Sequence, residues 1–285
     1  MAVRRYARLY RSASFSAKIM IVAGVAVCVT LVFLLLFSRF LTPYDPYEFT
    51  PDRLSPPSWN HIMGTDRLGR DTFSRVITGT YWSLTIAFVS VISSLAVGSF
   101  LGAVSGYMGG RVDTVLSLIM DAIWIFPTFV LALVVALVMG PGLINTAIAV
   151  AVVALPVFFR VIRSQTLAIR DQAFVEAERL INAKPLYIIR RHIAPFYVSS
   201  LIVLTSLRVA RAILTVSGLG FLGLGIPPPI PEWGTELAFG RLEIASGAWW
   251  LSVFPGFFIF LSILGFNVLG EGLEEILRPV TVTNR

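Results

Sequence analysis

Residues 19–38, 76–110, 122–159 and 244–270 contain no Asp, Glu, Lys or Arg. Each run is at least as long as the ~20 residues a helix needs to cross the hydrocarbon of a bilayer. With 56% apolar and 14% charged residues and a mean hydropathy of +0.81, the 285-residue chain lies outside the range of soluble domains and reads as a polytopic membrane protein. The 122–159 run is long enough for two crossings and breaks at Met139-Gly140-Pro141-Gly142, where two glycines and a proline favour a turn. A further apolar stretch, from Ala194 to about Val216, is interrupted only by Arg208 and Arg211. The expected fold class is therefore all-α, with six transmembrane helices near 19–40, 83–107, 114–138, 143–160, 194–216 and 247–269.

Six spans put both termini on one side, and Lys and Arg choose that side because positively charged flanks are retained in the cytoplasm. With the termini inside, fifteen Lys and Arg (4, 5, 8, 11, 18, 111, 160, 163, 170, 179, 184, 190, 191, 278 and 285) fall on inner segments. Six (39, 53, 67, 70, 75 and 241) fall outside. The chain is expected in the cell (inner or plasma) membrane with both termini cytoplasmic. The net charge of +7 is spread over several membrane-flanking segments, which makes it a topology signal and argues against nucleic acid as a partner.

Other classes are excluded by what the residues lack. The first run is long for the apolar part of a secretory signal, and Phe37-Ser38-Arg39-Phe40-Leu41 offers no small-x-small cleavage site, so it reads as an uncleaved anchor. Cys28, the single cysteine, lies inside that helix and gives no disulfide framework. Neither His61 nor His192 has a second ligand at helical spacing, so no metal ligands are expected. No nucleophile and base stand together at membrane depth, which leaves no catalytic residues, and no GKS or GKT follows the glycine-rich stretches, which leaves no phosphate cradle.

Between two apolar runs lies a polar island, VEAERLINAKPLYIIRRHIAP, residues 175–195. Asp171 can cap a short amphipathic helix over 171–183, with Glu176 and Glu178 in its early turns and Phe174, Ala177 and Ile181 on one face. Asn182 and Lys184-Pro185 end it, since Asn accepts a left-handed backbone and Pro suits the first position of a new helix. Periodicity alone is equally satisfied by an interfacial helix lying on anionic lipid.

Glu176-Ala177, Ala183 after a turn position at 182, Ile188-Ile189 and Arg191-His192-Ile193-x-Pro195 resemble the EAA signature of permease subunits of bacterial-type ABC importers. The chain departs from that pattern at Glu178, where a second Ala is usual, at Asn182, where Gly is usual, and at Phe196, where Asn is common. His61-Ile62-Met63-Gly64-Thr65-Asp66-Arg67-Leu68-Gly69-Arg70-Asp71 is similar to the HxxGTDxxGRD element of the second permease of dipeptide and oligopeptide importers. Leu219-Gly220-Phe221-Leu222-Gly223-Leu224-Gly225, with Pro228-Pro229 and Glu232-Trp233-Gly234-Thr235, is similar to the LSFLGLGxxPPxPxWG element of the same subunits. With Gly106-Tyr107-x-Gly109-Gly110-x-x-Asp113 and Asn267-x-x-Gly270-Glu271-Gly272-Leu273, the resemblance covers roughly residues 59–279.

The resemblance implies a type I ABC importer-like bundle and a non-catalytic permease, most simply for di- or oligopeptides; relatives of this type also carry nickel chelates, glutathione or oligosaccharides. It implies that the island is a coupling helix whose Phe174, Glu176, Ala177, Ile181, Asn182 and Ala183 meet an ATPase. It implies as partners a second permease subunit, two ATP-binding cassette subunits that hold the ATP and Mg, an extracytoplasmic solute-binding protein and the lipid bilayer. No cofactor is expected on this chain. The organisation expected is a basic cytoplasmic tail (1–18), a first transmembrane helix (19–40), an extracytoplasmic loop (41–80), a five-helix permease core (81–270) and a cytoplasmic tail (271–285). Within the core lie the coupling segment (171–191) and an outer scoop loop (217–246) whose glycines and prolines argue against a membrane helix. The outer-loop charges Asp66, Arg67, Arg70 and Asp71 suit either a structural lid or a ligand site.

Arg208 and Arg211 stand three residues apart on one face of the fifth span, where an exposed charge costs a few kcal/mol. Asp121 is the only acid within a span, about 10 Å from the inner end of the third helix, whereas Arg208 lies about 20 Å along the fifth. Cavity lining and an intramembrane ion pair therefore both stay open. In the resembled family this part of the fifth helix lines the translocation path, and an acid is common at the position of Thr215, which implies Arg208, Arg211, Thr215 and Asp121 as pathway residues. A stand-alone secondary transporter would use intramembrane carboxylates for ion coupling, and Asp121 alone qualifies. The topology is checked by single cysteines: at Asp52 and Trp233 they react with an impermeant thiol reagent in intact cells, and at Glu178 only after permeabilisation. Labelling at 178 from outside reverses the orientation.

Overall fold

The computed structural model describes residues 14–277. The amino-terminal tail up to residue 13 and residues 278–285, which carry Arg4, Arg5, Arg8, Arg11, Arg278 and Arg285 of the charge count, lie outside the described residues. Nine helices follow among the described residues: α1 (Phe15–Leu41), α2 (Thr72–Met108), α3 (Gly110–Trp124), α4 (Thr128–Met139), α5 (Leu143–Ile169), α6 (Ala173–Leu180), α7 (Pro185–Phe221, with a π turn at Ile189–Ile193), α8 (Trp233–Leu242) and α9 (Trp250–Leu277). No strand is formed among these residues beyond an isolated bridge between Thr65 and Asp71. Five helices are long and apolar enough to cross a bilayer, and α3 with α4 passes the same test only as a bent pair, six spans in all where that pair counts as one broken span.

That broken span departs from the straight helix expected over 114–138. α3 and α4 meet at 92° across 125–127, because Pro127 has no N–H to donate and disfavours helical geometry at Phe126 before it. Two other boundaries also shift. α2 starts at Thr72, well before residue 83, because the Asp71 carboxylate accepts from Ser74 N at 2.8 Å and caps it. α5 continues to Ile169, past the expected end at 160.

α2 and α5 form the closest-packed pair, and glycine makes the contact possible. A Cβ on Gly98 would fall 2.9 Å from Leu155 O, one on Gly102 2.5 Å from Phe159 O, and one on Gly106 2.8 Å from Arg163 O. The four-residue spacing puts these glycines on one face, where the two backbones approach without intervening side chains.

At the outer end the glycines of the 218–234 region have the same use, which corrects the expectation that they forbid a helix. α7 runs through Gly218 and Gly220 to Phe221 before turning at Gly223, whose φ is +80°. A Cβ on Gly218 would lie 2.6 Å from the Phe129 ring, one on Gly220 2.1 Å from Glu232 Oε2, and one on Gly234 2.1 Å from Ser217 O. Close packing offsets the propensity cost of about 1 kcal/mol per glycine. Glu232, 1% exposed, accepts from Ser83 Oγ (3.0 Å), Gly234 N and Thr235 N (2.9 Å each) and Thr235 Oγ1 (3.2 Å). Burial pushes its carboxyl above the ordinary range, and these donors pull the other way. Trp233 beside it is fully buried, with Nε1 donating to Val76 O at 3.0 Å, so Asp52, which is exposed, is the better outer-face reporter of topology.

Arg75, 1% exposed, joins the outer elements. It donates to Glu236 of α8 through Nε (3.0 Å) and Nη2 (2.5 Å), and to Pro46 O through Nη1 (2.8 Å). The outer loop is likewise satisfied from within: Asp66 pairs with Arg70 at 2.6 Å, His61 Nδ1 lies 2.9 Å from Asp71, and Trp250 Nε1 donates to Thr65 O at 3.2 Å. Asp66, Arg67 and Arg70 also line a cavity of about 300 Å³ with Glu236 of α8 and Glu243 just after it, and the Arg67 guanidinium lies 5.8 Å from the Phe239 ring centroid. Gly102→Leu is expected to weaken the α2–α5 seam by about 1–3 kcal/mol or more, because a backbone carbonyl blocks the added side chain. A lowered thermal midpoint of the detergent-purified chain checks it.

Candidate functional site

The polar island folds as α6, a turn at 181–184 and the start of α7. An isolated eight-residue helix is not stable in water, so tertiary contacts must hold α6 in place. Val175, fully buried, sits in an apolar cluster with Ala103, Ile162, Ile188, Ile189, Ile193 and Tyr197. Phe174 stacks on Phe196 with centroids 5.8 Å apart and rings 20° from parallel. The Glu178 carboxylate lies 3.2 Å from His192 Nε2, and the Arg179 guanidinium lies 4.9 Å from the Tyr107 ring centroid. Two of the departures from the EAA pattern, Glu178 and Phe196, thus have partners that tie α6 to α7.

The expected capping by Asp171 is not formed. The N-cap is Gln172, without a side-chain bond, and Asp171 instead pairs with Arg170 at 3.2 Å. The expected apolar face also divides. Val175, which periodicity left out, is the residue that faces inward, whereas Ala177 is exposed, Ile181 is 74% exposed and Phe174 39% exposed. Leu180, 80% exposed, extends the outward apolar patch and was equally absent from the sequence reading. Val175 and half-buried Glu178 share the i, i+3 spacing of Phe174 and Ala177, so the inward side of α6 lies one residue out of phase with the expected face, while Asn182, exposed, belongs to the turn. Glu176 is exposed in the first turn, where the helix N-terminus favours a carboxylate, and Ala183 is half-buried. Asn182 has φ +57°, the left-handed turn that starts the reversal into Pro185.

Beneath α6, Asp113 at the start of α3 receives Arg163 of α5 through Nε (2.5 Å) and Nη2 (2.6 Å). Gly109 (φ +63°) and Gly110 (φ +54°) make the sharp turn that brings Asp113 there. Farther out, Asp121 pairs with Arg160 at 2.7 Å, and Arg160 lies over the Trp124 ring at 4.4 Å. Asp121 therefore has a partner on α5, and the Asp121–Arg208 pair left open by the sequence is not formed.

Arg208, Arg211 and Thr215 line a cavity of about 420 Å³ with Thr128 and Phe129 of α4 and Val150, Val153 and Ala154 of α5. Thr215 Oγ1 donates to Arg211 O at 2.9 Å. Asp121 is not among the lining residues.

The family of binding-protein-dependent transport system inner membrane components matches residues 94–281. The di/tripeptide transport system permease protein DppC of Pseudomonas aeruginosa (strain UCBPP-PA14) is 40% identical over 263 residues, 90% of this chain and 86% of that one. The glutathione transport system permease protein GsiD of Pectobacterium atrosepticum is 40% identical over 245 residues, 85% of this chain and 81% of that one. Among solved structures, a chain of the MetNI methionine ABC transporter in an inward-facing conformation aligns with a TM-score of 0.52 at 17% identity. It covers 70% of this chain and 95% of its own length, a likeness of fold.

The turn at Asn182 gives a local prediction. Asn182→Gly retains the reversal, whereas Asn182→Ile costs about 1–2 kcal/mol in the left-handed region. Trypsin cleavage after Arg179 is expected to accelerate roughly 5–30-fold in the Ile variant alone. Equal cleavage of the two variants would show that the turn does not need that backbone conformation.

Proposed function

We propose, since this chain belongs to the family of binding-protein-dependent transport system inner membrane components, that it forms half of the translocation path of an ATP-driven importer and receives the ATPase stroke through α6. The observation that carries the reading is the outward apolar patch of Leu180, Ile181 and Ala177 on a helix clamped to α7 from its other side. Such a patch, rimmed by Glu176 and Arg179, has the composition of a protein-binding surface. In this reading Phe174, Glu176, Ala177, Ile181, Asn182 and Ala183 meet or shape the contact with an ATP-binding cassette subunit.

The chain performs no covalent chemistry in this scheme. ATP and Mg bind to two partner subunits, a second permease completes the path, and an extracytoplasmic solute-binding protein delivers cargo to the outer face. The fifteen-to-six Lys and Arg distribution supports cytoplasmic termini and a cytoplasmic α6. Closing of the ATPases moves α6 together with the inner ends of α2, α5 and α7 that it touches, a rigid-body switch between two packings.

The cargo proposed is a short peptide. The di/tripeptide and glutathione permeases match this chain at the same 40% identity, and glutathione is itself a tripeptide. Phe174→Asp is expected to leave the chain in the membrane while lowering recovery of the ATPase subunits on a tag carried by this chain. A charge beside the patch costs about 2 kcal/mol or more at a desolvated contact. Normal ATPase recovery and full ATP-driven uptake by this variant would return α6 to the role of a lipid-surface helix.

A further inference from the structure

Two like charges, Arg208 half-buried and Arg211 exposed, share one wall of an open cleft between α4, α5 and α7. Arg208 stands fourteen residues beyond Ala194 on α7, about 21 Å along the helix in a hydrocarbon layer of about 30 Å. Arg211 follows one turn later on the same face. Among the described residues neither guanidinium forms an ion pair, and Arg208 Nε is buried without a hydrogen-bond partner.

The nearby acids are committed elsewhere. Asp121 is paired with Arg160, Asp113 with Arg163, and Glu236 with Arg75, while Glu232 already accepts from four donors. No carboxylate lines the cavity. Its lining does include Thr128 and Phe129, the first two residues of α4, and no side chain caps that helix. The break at 125–127 thus places the first turn of a helix, where backbone N–H groups lack intrahelical partners, on the wall of the space the two arginines line. A cavity of about 420 Å³ holds a small organic group.

We propose that this cavity is a selectivity point for anionic cargo, where Arg208 and Arg211 hold a carboxylate of the passing substrate and the first turn of α4 adds backbone donors. The inference rests on the importer reading and names the charge class that this half of the path favours: acidic short peptides over basic ones. It gives the unpartnered Arg208 Nε an acceptor, and it accounts for two charges kept at a depth where an unpaired one costs a few kcal/mol.

The test uses the intact importer, purified from its native membrane on a tag carried by this chain and reconstituted with its binding protein. ATP-driven uptake is compared for two tripeptides that the binding protein takes equally, one with a glutamate and one with a lysine side chain. Thr215→Asp supplies a carboxylate to the same wall without removing either arginine, and it is expected to lower the acidic-to-basic uptake ratio about tenfold or more, as like-charge juxtaposition does. Arg211→Gln moves the ratio the same way, and Arg211→Lys leaves it within threefold of the wild type. A ratio within twofold of the wild type in Thr215→Asp overturns the proposal. So does a ratio that follows the exchange of phosphatidylcholine for phosphatidylglycerol vesicles instead of the side chains, since the anion held would then be a lipid headgroup. A wild-type complex with no ATP-driven uptake of either peptide would instead overturn the importer reading.

Discussion

Hydrocarbon offers no hydrogen-bond partners, so each polar group that the spans carry inward has to be satisfied by the protein itself. Much of this fold is a set of answers to that demand. Arg75 enters the bundle only with Glu236 and the carbonyl of Pro46 around it, and Glu232 only with four donors. Asp113 and Arg163 do the same at the inner end. These knots join elements distant in sequence: Arg75 and Glu236 are 161 residues apart, Asp113 and Arg163 fifty. Removing one partner leaves a charge uncompensated, which costs about 3–5 kcal/mol in a buried pair. Arg208 differs from these knots: its Nε is buried without a hydrogen-bond partner, and among the described residues neither it nor Arg211 forms an ion pair.

Apolar contact between membrane helices gains little from the hydrophobic effect, because lipid is as apolar as leucine; close approach has to supply the difference. Gly98, Gly102 and Gly106 let α2 and α5 meet backbone to backbone, Gly234 lets α8 meet the backbone of α7 at Ser217, and Gly218 and Gly220 make room for the Phe129 ring and the Glu232 carboxylate. Polar knots and glycine seams depend on each other. Glu232 reaches its donors only because Gly220 leaves room for its carboxylate, and the Trp233 ring lies where a Cβ on Gly79 would come within 3.1 Å of it.

The spans were legible because long apolar runs admit one structural reading, and five of the six expected spans appear as single helices among the described residues, the third as the bent pair of α3 and α4. What escaped the sequence had tertiary causes. Gly218 and Gly220 read as helix breakers because propensity counts their cost and cannot count the contacts they permit. The bend at Pro127 was overshadowed by the stronger Gly-Pro-Gly signal at 140–142, although a proline inside an apolar run is itself a reason to expect a kink. At residues 171–191 the helix, turn and new start were readable from Asn182 and Pro185, but which face pointed inward was not. Phe174 with Ala177 and the alternative pair Val175 with Glu178 have the same spacing. Only the cluster of isoleucines at 188, 189 and 193 decides between them. The partnering of Asp121 was beyond reach from residue order, because Arg160 had been placed at the end of its helix instead of within a longer one.

The departures from the resembled pattern can now be read as physical substitutions. A helix of eight residues transmits force only if it is stiffer against its own chain than against its partner, and α6 has little stiffness of its own. Val175 gives it an apolar root, but one side chain leaves rotation about that root free. Phe174 on Phe196 and Glu178 beside His192 add two further contacts, one on each side of Val175 in sequence, and Arg179 over Tyr107 ties the helix to the turn between α2 and α3. Three non-collinear attachments remove the rotation that one would permit. Phe196 and Glu178 therefore act as members of pairs: replacing Phe196 with the commoner Asn would remove the ring under Phe174, replacing Glu178 with Ala would remove the carboxylate beside His192, and either change would leave α6 one contact fewer on α7.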